Sequence, residues 1–210
     1  MTTFQETSLA SFGELLASGT PTPGGGCAAA LSGALAAALA AMVARTTAAN
    51  ESFTEHAAQM DEIATEADRL RVELLALVDE DARAFDQVMT AFRMPKETPD
   101  EQAARAEAIQ RGYVSAAQPP MLVCTKSLRI LELALQVAEM GNPNAASDAG
   151  VAALLAATAL EGGALNVQIN LGSIKDDSFR ATQSARVEAA LAQGQTLRDR
   201  ALATVHTRLS

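Results

Sequence analysis

Two aspartates and one lysine are the residues of this sequence best suited to acid–base chemistry. Asp81 lies in a long amphipathic segment and has no basic residue three or four positions later to pair with. Asp148 lies near the start of a predicted helix whose cap positions Asn144 and Ser147 can already fill. Lys96 follows a predicted helix end, where a cation is favoured in any case. An unpaired carboxylate can act as a general base or stabilise a cation, although a solvated acid is the commoner case.

Side-chain amides form a second group of candidates. Asn166 and Asn170 are four positions apart, on one face of an otherwise apolar helical segment. Asparagine is a poor helix former, because its amide competes with the backbone. Such a pair either bonds a neighbouring helix or contacts a ligand, and the sequence leaves both open. Asn142 flanks the start of the same helix, and Asp86 accompanies Asp81 on the long segment.

A proline- and glycine-rich loop precedes an uncharged, alanine-rich stretch, residues 27–44. The loop consists of Pro21, Thr22, Pro23, Gly24, Gly25 and Gly26. Alanine and leucine are strong helix formers, so a helix is predicted to begin at the glycines. The free N–H groups of a bare helix N-terminus favour a carboxylate or a phosphate. The alternative is a tight turn with a close helix–helix contact, and the sequence leaves this open.

The elements that must position these residues are predicted to be helices alone. Aromatic residues make up 3% of the 210 residues and β-branched residues are sparse, which disfavours strands. We predict an all-α, single-domain multi-helix bundle over residues 1–210, with long antiparallel helices. Hydrophobic periodicity and Gly/Pro breaks place these at about residues 4–17, 27–44, 54–92, 98–118, 121–140, 144–171 and 176–208. Gly33, Ala37 and Ala41 are predicted to lie at a tight helix contact in a dimer.

Composition argues against several classes of protein. The net charge is −9 and the Lys and Arg residues are scattered, so nucleic acid and membrane are not expected as partners. Cys27 and Cys124 lack metal-site spacing, and His56 and His206 lie in polar stretches, so no metal site is expected. The apolar 27–44 stretch has the length of a membrane span but is mostly alanine, and we predict a core helix. A cytoplasmic location is expected, since the N-terminus lacks signal-peptide features.

The ordered set of motifs resembles the cyclodeaminase/cyclohydrolase family, which comprises the C-terminal domain of formiminotransferase-cyclodeaminase and stand-alone methenyltetrahydrofolate cyclohydrolases. Each motif is weak by itself, but their order and spacing cover nearly the whole chain. The motifs are Pro21–Gly26 with its alanine helix, Asp81–Asp86, Met94–Lys96 with Arg105, Gly141–Asn144, Ser147–Ala152, Ala164–Val167 and Ile169–Asn170. Lysines typical of stand-alone members are missing after the alanine helix, where Arg45 is the only cation between residues 45 and 53.

The resemblance implies a homodimeric enzyme of one-carbon folate metabolism, without a metal or a permanently bound cofactor, that binds folate where the subunits meet. Asp148 and Asp81 would stabilise the cationic methenyl bridge and accept a proton from water, and Lys96 would return a proton. The implied substrate-binding residues are Pro23, Gly24, Gly25, Gly26, Asp86, Asn142, Asn166 and Asn170, with the amides on the pterin edge and the glycines on the glutamate tail. The alternatives are a non-catalytic folate-binding helical dimer and a helical-bundle enzyme that binds a nucleotide phosphate.

Overall fold

Within residues 3–210, the part of the chain that the computed structural model describes, seven α-helices follow one another without a strand. The all-α prediction is therefore confirmed. The helices are α1 (Leu9–Ala17), α2 (Gly25–Ala48), α3 (Ala57–Phe92), α4 (Pro99–Ala116), α5 (Gln118–Met140), α6 (Ala146–Leu171) and α7 (Asp177–Leu209), and short 3₁₀ turns span Phe4–Glu6, Glu51–His56 and Pro143–Ala145.

Local chemistry explains where several helices begin. Helix α4 begins close to residue 98, as predicted; Thr98 and Glu101 form a reciprocal capping box there, and Pro99 occupies the first turn. The predicted first helix, residues 4–17, is wrong in one respect. Ser8 is extended and accepts a hydrogen bond from the Ser11 backbone, so α1 begins only after it. A Ser N-cap inside the apolar pattern thus divides the segment into a 3₁₀ turn and α1.

Helix α2 lies at the centre of the bundle and packs against α3, α5 and α6. Its small side chains allow close approach: a Cβ on Gly33 would lie 3.2 Å from Leu74 and from the Ser127 hydroxyl. Ala37 and Ala41 are also buried inside the protomer. The tight contact predicted at Gly33, Ala37 and Ala41 therefore exists, but within one chain. Its assignment to a dimer interface is wrong, because helical periodicity shows which residues are buried but not which chain buries them.

Two helical segments, Gly25–Ala48 and Pro143–Leu171, are long and apolar enough to cross a membrane by length and composition. More than half of the most apolar window of each is buried inside the protein. In the bundle both pack as core helices, as the sequence predicts for residues 27–44.

Replacing Ala37 with leucine is expected to lower the free energy of unfolding by about 1–3 kcal/mol, because the larger side chain overpacks a site with 0% exposure. Urea denaturation measures the effect. Ala192→Leu, an exposed site on α7, is the matched control and should change stability by less than about 0.5 kcal/mol. Equal effects at the two sites would contradict the packing assigned to α2.

Candidate active site

Four helices enclose a cavity of about 380 Å³: the start of α2, the second half of α3, and the ends of α4 and α6. Six of the residues predicted from the sequence line it together, namely Gly24, Gly25, Gly26, Asp81, Asn166 and Asn170. The remaining lining residues are Pro21, Thr22, Phe85, Val88, Met89, Phe92, Tyr113, Ala116, Ile169 and Ser173. The glycine loop, the carboxylate and the amides, far apart in sequence, thus belong to one site.

A second hollow, of about 410 Å³, lies between α6 and α7 but contains none of the candidate residues. Among the residues that line it, the charged ones are Asp177 and Arg180, which pair with each other at 2.9 Å. Its acidic and basic groups therefore already satisfy each other. The first cavity, in contrast, has on its wall the Asp81 carboxylate, which forms no salt bridge within the described residues.

The Asp81 carboxyl group lies directly against the backbone of Gly26. A Cβ built on Gly26 would lie 2.3 Å from the Asp81 Oδ1 and 2.5 Å from its Cγ. No side chain larger than hydrogen fits there unless Asp81 moves. Gly25 likewise faces the Asn166 side chain, 3.5 Å from where a Cβ would be. The glycines therefore make room for two polar side chains of the protein itself.

The bare N-terminus of α2 receives that carboxylate. The Asp81 carboxyl lies against Gly26 there, and the Cys27 thiol hydrogen-bonds it, with Sγ 3.5 Å from Oδ2. Burial nevertheless dominates and raises the pKa of the Asp81 carboxyl, against the lowering effect of hydrogen bonding from Cys27. A half-buried carboxyl with a raised pKa, in a cavity whose wall has no cation among residues 3–210, can accept and return a proton.

The two asparagines bring their amides into the cavity in different ways. The Asn166 Nδ2 donates to the Gly162 carbonyl at 2.8 Å, within its own helix. The Asn170 Nδ2 donates to the Asn166 carbonyl at 2.9 Å and to the Ala116 carbonyl at 3.2 Å. Asn170 therefore does bond a neighbouring helix, α4. Since both amides use their NH₂ groups in this way, their oxygens are available as acceptors on the cavity wall.

Helix α4 closes one side of the cavity and is fastened at several points. Gln110 donates to the Ser173 carbonyl at 3.0 Å and accepts from the Lys175 N–H at 2.8 Å. Arg105 donates to the Phe92 carbonyl at 3.1 Å, and its guanidinium lies 5.5 Å from the Phe92 ring centre. These contacts join α4 to the end of α3 and to the α6–α7 loop, which both contribute to the cavity wall.

Three aromatic side chains form a wall of the cavity that the sequence pattern does not predict. Phe85, Phe92 and Tyr113 line the cavity, and the rings of Phe92 and Tyr113 meet edge to face at 6.2 Å between centroids. Phe85 and Phe92 fit the apolar periodicity of α3, which predicts core positions, yet Phe92 is 40% exposed. The sequence carries no signal for this wall, because the exposure that makes Phe92 better suited to a flat ligand than to a core arises from the packing.

Five predicted site residues lie outside this cavity. Pro23 is buried beside it, while Asp86 and Lys96 are exposed on α3 and on the loop after Phe92. Asn142 caps the Pro143–Ala145 turn, accepting from the Asn144 N–H at 3.0 Å. Asp148 lies in the first turn of α6.

Asp148 and Asn142 are separated from the cavity by most of the length of α6. Asp148 and Asn166 are eighteen positions apart on that helix, which corresponds to about 27 Å at 1.5 Å per residue. Within one chain, Asp148 therefore cannot contact the same small reacting group as Asp81.

Comparison with known proteins gives a consistent result. A family model described as formiminotransferase-cyclodeaminase matches residues 8–189. The methenyltetrahydrofolate cyclohydrolase of Methylorubrum extorquens is 38% identical over 195 residues, which cover 93% of this chain and 94% of that protein. The formimidoyltransferase-cyclodeaminase of Sus scrofa is 33% identical over 188 residues, which cover 90% of this chain and 35% of that longer protein.

The fold is also shared with a solved structure. A crystal structure of formiminotetrahydrofolate cyclodeaminase from Thermotoga maritima superposes with a TM-score of 0.88 and 30% sequence identity. The match covers 98% of this chain and 99% of that one. The resemblance inferred from the order of the motifs is therefore confirmed.

Proposed function

Since this chain belongs to the formiminotransferase-cyclodeaminase family, we propose that it is a methenyltetrahydrofolate cyclohydrolase, which hydrates the 5,10-methenyl bridge of tetrahydrofolate to the 10-formyl group. The observation that supports this most directly is the half-buried Asp81 carboxyl in the cavity, because the methenyl bridge is a cation that must react with water. The relative named for this activity is 38% identical to this chain, against 30% for the Thermotoga maritima cyclodeaminase, which favours cyclohydrolase over cyclodeaminase activity.

The proposed reaction uses Asp81 as its base. Water adds to the bridge carbon while Asp81 accepts a proton from it, which leaves a neutral hydroxyl adduct. The protonated Asp81 then donates to N5 as the bond from the bridge carbon to N5 breaks. The hydroxyl proton leaves for solvent and the carbonyl of the formyl group remains on N10. Lys96, on the exposed loop after Phe92, is proposed as the alternative donor to N5, in which case Asp81 releases its proton to solvent and Lys96 is reprotonated from solvent.

The rest of the cavity suits a pterin ring. Phe85 and Tyr113 offer flat apolar surfaces, while the Asn166 and Asn170 oxygens can accept hydrogen bonds from N–H groups of the pterin edge. The Asp81 carboxyl already lies at the N-terminus of α2, against Gly26 and the Cys27 thiol. We therefore propose that the glutamate tail leaves through the open side of the cavity and does not contact the glycine loop.

We propose that the protein is a homodimer formed through an apolar stripe on α2 and α6. These helices lie side by side and antiparallel, with Gly25 beside Asn166 and the Ser32 hydroxyl donating to the Leu155 carbonyl at 2.9 Å. Exposed apolar side chains follow both helices at helical spacing. This α2–α6 stripe consists of Leu35, Met42, Val151, Leu154, Leu165 and Ile169, of which Leu165 and Ile169 are 67% and 74% exposed. Several exposed apolar side chains on two neighbouring helices are typical of an interface.

The same dimer would bring Asp148 and Asn142 of one subunit close to the cavity of the other. If the two-fold axis runs perpendicular to α6, the two copies of α6 pair antiparallel about the middle of the stripe, near Leu160. Position 148 of one subunit then lies opposite position 172 of the other, beside the cavity residues Asn170 and Ser173. We propose that each cavity is completed in this way by Asp148 and Asn142 from the second subunit.

Replacing Leu165 with glutamate is expected to convert the dimer into a monomer, because the stripe would then bury two unpaired charges. Sedimentation velocity measures the change, and turnover should fall with it. Val72→Glu is the matched control, since Val72 is 57% exposed on α3, away from the stripe, and should leave the dimer intact. A dimer that survives Leu165→Glu would contradict this interface.

The proposed activity is tested by loss of the methenyltetrahydrofolate absorbance band on addition of the purified protein. Extended chelation should leave the rate unchanged, as expected for a reaction without a metal. Release of ammonia from formiminotetrahydrofolate, without hydration of the bridge, would instead indicate a cyclodeaminase. Binding of folate without either reaction would leave a non-catalytic dimer.

We further propose a cytoplasmic location and neither a nucleic-acid nor a membrane partner, in keeping with the net charge of −9.

A further inference from the structure

Cys27 stands between the glycine loop and Asp81 and is fully buried in the first turn of α2. Its Sγ lies 3.3 Å from the Val78 carbonyl oxygen and 3.5 Å from the Asp81 Oδ2, both on α3. A thiol carries one proton, so it can donate to only one of these acceptors at a time. Burial raises the pKa of the Cys27 thiol to about 12, which keeps it protonated and able to donate.

We propose that Cys27 is a positioning residue whose thiol holds the ionised Asp81 by Oδ2 and turns to the Val78 carbonyl when Asp81 takes up a proton. A carboxylate is a stronger acceptor than a peptide carbonyl, and a neutral carboxyl is a weaker one than a carboxylate. The preferred partner of the thiol therefore follows the charge of Asp81. Asp81 can exchange its proton while its own side chain stays against Gly26.

The choice of cysteine has a consequence for the strength of the base. A thiol is a weak donor, whereas a serine hydroxyl at this place would form a shorter, charge-assisted bond to the carboxylate. Serine would therefore favour ionised Asp81 more than cysteine does, and alanine would favour it less. The two substitutions are expected to move the titration of Asp81 in opposite directions.

Few other groups compete for control of Asp81. Helix α4 contributes the Tyr113 phenol to the cavity, and α6 contributes the uncharged amides of Asn166 and Asn170. No further titratable side chain lines the cavity in the described part of the chain. Cys27 is thus the group on α2 that can tune Asp81 through a direct side-chain hydrogen bond.

The test is the titration of Asp81 in the full-length protein, followed by NMR of carboxyl-labelled aspartate, with Asp81→Asn used to assign the signal. We expect Cys27→Ser to lower the midpoint and Cys27→Ala to raise it, each by about one pH unit. Where the parent turns over methenyltetrahydrofolate, the acidic limb of its pH–rate profile should shift in the same two directions.

Cys124 provides the matched control. Its buried thiol donates to the Leu160 carbonyl at 3.6 Å and has no carboxylate partner among the residues that the structure describes, so Cys124→Ser and Cys124→Ala should leave the midpoint unmoved. Midpoints that stay in place, or that shift in the same direction for both Cys27 variants, would overturn the proposal. If Cys27→Ala does not fold, Cys27→Ser decides by itself. Only the pH–rate profile depends on the proposed function. If the parent protein shows no turnover, the proposed function fails, but the NMR titration still tests the role of Cys27.

Discussion

Replacing Asp81 with asparagine is expected to slow hydration of methenyltetrahydrofolate by about 10²–10⁴-fold, the range for a positioned acid–base group. The amide cannot accept the proton of the attacking water and carries no charge to stabilise the cation. Its near-identical shape keeps the contact with Gly26, so the cavity should retain its form. Steady-state absorbance measures the rate. Asp61→Asn, at an exposed position on the same helix, is the control and should stay within a few-fold of the parent.

The same substitution should not reduce stability at neutral pH. Because burial raises the pKa of Asp81, the folded protein binds this proton more tightly than the unfolded chain does. The stabilising contribution of protonated Asp81 is therefore complete below the pKa that Asp81 has in the unfolded chain. It is lost as the pH rises through the higher pKa that Asp81 has in the folded protein. Asparagine does not ionise, so the Asp81→Asn protein avoids the cost of a buried charge at neutral pH. Its melting temperature at pH 7 should therefore equal or exceed that of the parent. A folded Asp81→Asn protein with parental turnover would exclude Asp81 as the base.

Mixing two inactive variants is expected to restore activity if each site draws on both subunits. Asp148→Asn by itself should slow turnover by about 10²–10⁴-fold without lowering the melting temperature. When Asp81→Asn and Asp148→Asn subunits are co-expressed and exchange freely, half of the dimers are mixed, and each mixed dimer has one intact site. Activity should therefore recover to about a quarter of the parental value. Differently tagged subunits and tandem purification isolate the mixed dimer for the assay.

Each other outcome of the mixing experiment has a definite meaning. If both variants are inactive alone and the purified mixed dimer is inactive too, the antiparallel pairing of α6 is wrong. If Asp148→Asn turns over substrate within a few-fold of the parent, Asp148 is structural and Asp81 is the leading carboxylate. Wild-type subunits mixed with Asp81→Asn subunits serve as the control and calibrate subunit exchange.

The sequence by itself determined the helices and their order, because helix propensity, periodicity, caps and breaks are local properties. The start of α4 near residue 98 is where the sequence predicts it, whereas α5 begins at Gln118, so Pro119 and Pro120 lie in its first turn and not in a break before residue 121. The sequence also determined the family, since the order of the motifs along the chain does not depend on how the helices pack. The separation of Asp148 from Asn166 was implicit too, because two residues eighteen positions apart on one predicted helix cannot meet.

Only the tertiary structure decided what the glycine loop is for. The free N-terminus of α2 predicts an anion, but not that the anion is Asp81, 55 positions beyond Gly26. Which faces of α2 and α3 meet depends on the rotation and crossing of packed helices, which periodicity leaves undetermined. The same packing brings Tyr113 to the cavity and buries Asp81 enough to raise its pKa. The types of the reacting groups are thus a property of the sequence, whereas their proximity and proton affinity arise from the packing of distant helices.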